Sequence, residues 1–168
     1  GKQLIMSVNR TENQDFELIG SRFHSWFKEM HAKLFNLEQS NDFYSFFKKQ
    51  FPFYVKWYLK IRESMLQYDK EMPHLNYIYH YGIASSLQEP ILLASINFND
   101  SEDEIKSKID RTARFIETFT VRRSVNYRKF GQTSIKYTMF NIIKLIRNND
   151  LHTLNLNLTS ETDKIDAK

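Results

Sequence analysis

Apolar residues recur every three or four positions in several separate stretches of this chain, and that spacing predicts helices. An α-helix has 3.6 residues per turn, so positions i, i+3, i+4 and i+7 share one face. Phe23, Trp26, Phe27, Met30, Leu34 and Leu37 form one such stripe, with Ser21 or Asp15 as its cap. Tyr54, Trp57, Tyr58, Ile61, Met65 and Tyr68 form a second. Ile105, Ile109, Ala113, Ile116 and Thr120 form a third, and Ile135, Met139, Ile142, Ile143 and Ile146 a fourth.

The punctuation between the stripes agrees with them. Only 4 Gly and 3 Pro occur in 168 residues, too few for the frequent turns of a β-sandwich. Ser40-Asn41 reads as a cap before Phe43, Tyr44, Phe46 and Phe47. Pro52, Pro73 and Pro90 each suit a first helical turn, where a missing N–H is harmless. The helix from Pro73 passes Leu75, Tyr77, Ile78 and Tyr81 and closes at Gly82, and the one from Pro90 covers Ile91 to Ile96. Ser101-Glu102-Asp103-Glu104 matches a capping box, and residues 124–132 read as a connection. The expected fold is all-α, an irregular bundle of about six to seven helices. Residues 1–14 read as a lead-in or linker, 15–159 as a single helical domain, and 160–168 as a polar tail. Leu151, Leu154, Leu156 and Leu158 mix two periods, which fits a frayed end or a helix stump.

Composition removes several classes of chemistry. Hydrophobic residues make up 41% and aromatics 15%, enough for a core. With no cysteine, disulfides, thiolate nucleophiles and Cys-based metal sites are excluded. That absence suggests the reducing cytoplasm. No apolar run is long enough to cross a bilayer. The first residue is Gly1 rather than Met, which reads as an expression remnant on a piece of a longer protein. His24, His31, His74, His80 and His152 show no i, i+3 or i, i+4 pairing, and no phosphate loop or nucleophile elbow is present. No metal site and no cofactor is expected.

One charge asymmetry stands out. Between residues 111 and 149 nine positive residues face a single acid, Glu117, although the whole chain carries only +4. Arg122, Arg123, Arg128 and Lys129 surround a helix end, with Lys136 and Arg147 beyond. These six are the candidate nucleic-acid contacts, through phosphate. Cations also favour helix C-termini and clamp carboxylates, so a purely structural role stays open. A separate string, Arg147-Asn148-Asn149-Asp150-Leu151-His152, is similar to the Arg-Asn-x-x-x-His of the HEPN ribonucleases. That resemblance implies a dimeric helical nuclease with Arg147 and His152 as alternative catalytic residues. A third possibility is a structural interaction domain whose aromatic grooves hold a partner helix.

The segment 109–149 resembles the helical region of the GmrS-type family of restriction and phage-defence proteins. The matching positions are Phe119, Val121, Arg122 and Arg123 at a helix end, then Phe140, Asn141 and Ile143 after a basic connection. In that family an Asp-Gly-Gln-Gln-Arg domain hydrolyses nucleotide, and many members continue into a nuclease domain. Neither motif is in this sequence. The resemblance therefore implies a non-catalytic helical module. Its partners would be nucleotide-hydrolysing and nuclease-type flanking domains of the same chain, with DNA as a further contact.

Overall fold

The computed structural model describes residues 39–80, 85–128 and 132–166, together with Ser25. Among them are seven α-helices and no strand. In chain order they are α1 (Ser40–Ser45), α2 (Phe51–Leu66), α3 (Pro73–His80), α4 (Ser85–Ala94), α5 (Glu102–Val125), α6 (Gln132–Ile146) and α7 (Leu151–Asp166). The fold is all-α, an irregular bundle, as the apolar period requires. The stripe from Phe23 to Leu37, the lead-in 1–14 and the Gly82 helix end lie outside the described residues.

The start of the described chain departs from expectation. Gln39, not Ser40 or Asn41, flanks α1 in an extended conformation, and no side chain caps the helix. Pro52 lies in the first turn of α2, as expected, although no break separates that helix from α1. A π-helical turn, Phe46–Gln50, joins α1 to α2, and the Phe51 N–H donates to the Phe46 carbonyl. Pro52 has no N–H for the Lys48 carbonyl, and its ring would crowd that oxygen in a normal α-turn. Widening the preceding turn makes room for the ring without breaking the helix.

Pro90 requires a second correction. It lies inside α4 rather than opening it. The whole run 87–96 is buried, so neighbours hold this helix on every side. That packing, against α2, α5 and α6, offsets the one backbone hydrogen bond that Pro90 cannot make.

The longest helix, α5, is the hub, packed on α3, α4 and α7. Its start follows the capping rule in part. Ser101 Oγ accepts the Glu104 N–H at 3.3 Å, but the Glu104 carboxylate turns to Lys108 Nζ at 3.2 Å. Every stripe position from Ile105 to Thr120 is buried. The helix continues to Val125, so Ser124 and Val125 belong to it and not to the connection.

Residues 160–166, expected as a polar tail, continue α7. Its mixed period resolves as helical: Leu154 and Leu158 are 0% and 1% exposed, Leu156 58%. Asp150 caps the start, accepting the Thr153 N–H at 2.7 Å. That bond, first among several contacts, holds the Asp150 carboxyl below its ordinary pKa. Among the described residues no helix is long and apolar enough to cross a membrane.

Candidate functional site

Most of the described cations before Asp110 are clamps. Lys108 is fully buried, and its Nζ reaches Asp100 at 2.8 Å, Glu104 at 3.2 Å and the Asn149 carbonyl at 2.9 Å. Its three N–H donors are thereby all used, tying the start of α5 to the α6–α7 turn. Asp100 also accepts the Asn97 N–H at 2.7 Å. Nearby, burial first and the Asp100 charge second push the Tyr54 hydroxyl up to about 12. Lys106 pairs with Glu71 and Glu102, Lys60 with Glu63 and Asp69, and Arg62 with Glu89. His74 binds α3 to α5: its Nδ1 lies 2.9 Å from Asp110 and its Nε2 3.8 Å from Glu117.

The second half of α5 is built differently. Arg111, Arg114, Thr118 and Arg122 follow one another at three- and four-residue steps, so they share one face. That face meets α7, and with Phe115, Leu158, Thr159 and Thr162 it lines a cleft of about 230 Å³. Arg111 donates to Thr159 Oγ1 at 3.3 Å, and Arg122 to the Thr162 carbonyl at 2.9 Å. Among the described residues no carboxylate lines the cleft.

Arg123 falls on the adjacent face. It lines a smaller cleft of about 150 Å³ with Phe119, Arg128, Glu161 and Lys164 among others. Its guanidinium sits 5.4 Å over the Phe119 ring. Burial, then the Arg128 charge, lowers its pKa from the ordinary arginine value.

The end of α5 is a Schellman turn. The Arg128 N–H donates to the Arg123 carbonyl at 2.9 Å, and the Tyr127 N–H to the Ser124 carbonyl at 3.0 Å. The left-handed position of this motif usually holds glycine, yet here it holds Tyr127 at φ 53°. A side chain there costs roughly 1–2 kcal/mol. The ring gains no burial in return, being 98% exposed.

The six predicted contacts are thus sorted. Arg122 belongs to the larger cleft, Arg123 and Arg128 to the smaller one. Lys136 lies near the start of α6, its ammonium 4.8 Å over the Tyr137 ring. Lys129 lies outside the described residues. Arg147 follows the far end of α6, in the turn that Lys108 binds, about 20 Å along α5 from Arg122. It does not join the others. His152 is exposed in the first turn of α7, and among the described residues no hydrogen bond or ion pair joins it to Arg147. No group of three His, Asp or Glu residues there is placed to hold a metal. Arg111, Arg114 and Tyr127 were not among the expected contacts. The i, i+3, i+11 spacing of the arginines was visible, but not that α7 would face them. No family model, curated protein or solved structure matches the chain.

Proposed function

We propose that this chain is a non-catalytic helical module that touches nucleic acid through the C-terminal end of α5. The observation that carries this is Tyr127, fully exposed in a left-handed turn with Arg123 and Arg128 beside it. An aromatic ring held in solvent among cations suits a stacked base with its phosphates on the arginines. The resemblance of 109–149 to the GmrS-type helical region supports the same role. In such a cytoplasmic restriction or defence protein, flanking domains of the same chain would carry out the nucleotide hydrolysis and cleavage.

Fluorescence anisotropy with single-stranded and duplex DNA tests it. Three phosphate contacts on a duplex should weaken binding roughly 40-fold between about 50 and 200 mM salt. Tyr127→Ala should weaken single-strand binding by about tenfold, the usual worth of one stacked base. Absent binding at low salt would refute the proposal. So would binding untouched by combined Arg128→Gln and Lys129→Gln.

One observation favours a second reading, a surface for a partner helix. Phe43, Tyr44, Phe47, Val55 and Leu59 are all exposed on the α1–α2 helix. A free face of this kind expects Phe47→Asp with Leu59→Asp to leave the melting temperature within a few degrees. A steep loss would mean that the fold itself covers the face.

A further inference from the structure

We propose that the cleft between α5 and α7 binds the terminal phosphate of a phosphomonoester through Arg111, Arg114 and Arg122. The site is independent of the Tyr127 end, since it lies on another face of α5. Among the described residues, three guanidinium groups line it and no carboxylate does. Among the described residues neither Arg111 nor Arg114 forms an ion pair. That sets them apart from Lys60, Arg62, Lys106 and Lys108, each of which is neutralised.

The neighbouring acids make the contrast sharper. Asp110 and Glu117 stand at i−4 and i+3 from Arg114, the positions that ordinarily clamp a helical arginine. Both are turned to His74 on α3 instead. The charges of Arg111 and Arg114 are therefore left for an anion.

The hydrogen-bond inventory fits a phosphate. Thr118 donates its hydroxyl proton to the Arg114 carbonyl at 2.9 Å, and Thr162 to the Leu158 carbonyl at 2.8 Å. Thr159 Oγ1 accepts from Arg111, so its own proton is left to point at a ligand. Thr118 and Thr162 thus offer the cleft only lone pairs, and its donors are the Thr159 hydroxyl and the guanidinium forks, which match phosphate oxygens in pairs. At about 230 Å³ the cleft is smaller than a usual small-molecule pocket of roughly 300–1,000 Å³. It suits a phosphate head with little of what carries it. The same head is found on a free nucleotide and on the 5′ end of a nucleic acid.

Calorimetric titration of the whole chain with inorganic phosphate, then with a nucleoside 5′-monophosphate, tests the site. Saturable binding is expected, weakened about tenfold or more by Arg114→Gln. Arg114 is exposed and unclamped, so this variant should melt like the native chain in phosphate-free buffer. The Arg128→Gln, Lys129→Gln variant should keep phosphate binding even if nucleic-acid contact fails. Competition by a 5′-phosphorylated strand, but not by its 5′-hydroxyl counterpart, assigns the head to a nucleic-acid end. Competition by the mononucleotide alone assigns it to a small molecule. No saturable binding of phosphate or mononucleotide, or equal binding by the native, Arg111→Gln and Arg114→Gln chains, overturns the proposal.

Discussion

Replacing Lys108 by alanine should cost about 3–5 kcal/mol, the usual loss when one member of a buried ion pair is removed. For a chain of 168 residues that lowers the melting temperature by something of order 10 °C. The size comes from what is left behind. Asp100 is 10% exposed at its side chain and would keep its charge with only the Asn97 N–H against it. The Asn149 carbonyl would lose a donor as well. Arginine is no conservative substitute, because its planar fork cannot place three donors where one ammonium does. Lys108→Met combined with Asp100→Asn should recover much of the loss, since it removes the uncompensated buried charge of Asp100. Thermal unfolding followed by circular dichroism reads both. A loss below about 1 kcal/mol for Lys108→Ala would mean that the network does not exist in solution. The clamp lies about two and four helical turns from Arg114 and Arg122, and one turn from Arg111, so folded Lys108 variants should still bind phosphate.

Lys108 and Arg114 also show how far the sequence could be read. Both are cations on α5, and both have acids at helical spacing. Nothing in the linear order says that Glu104 goes to Lys108 while Asp110 and Glu117 go to His74, which comes from another helix. The nine-to-one excess of positive charge was legible; its division between clefts was not. Arg122 and Arg123 are neighbours in sequence, but successive residues on a helix point about 100° apart and so serve different faces. The helices themselves followed the same logic. α5 and α6 were legible because their apolar period is unbroken and Ser101 marks a start. Pro52 kept to the first turn of α2, after a π turn, whereas Pro90 misled because local preference lost to packing within α4. Local rules hold where no neighbour contradicts them.

The last helix gives the second large effect. Leu154→Ala should cost about 2–5 kcal/mol, whereas Leu156→Ala should stay within about 0.5 kcal/mol. In sequence these two leucines are equivalent, and Leu154, Leu156 and Leu158 would share one face of a strand. Only a helix separates them, putting Leu154 and Leu158 in the core and Leu156 in water. Denaturant titration measures the contrast directly. Leu158 links it to function, because it lines the phosphate cleft one residue before Thr159 and one turn before Thr162. A cavity at Leu158 loosens the α7 wall, so Leu158→Ala should weaken phosphate binding as well as stability. Leu156→Ala should leave both unchanged. Equal losses at Leu154 and Leu156 would remove α7 as the second wall, leaving Arg111, Arg114 and Arg122 on an open helix face where solvent and salt screen them.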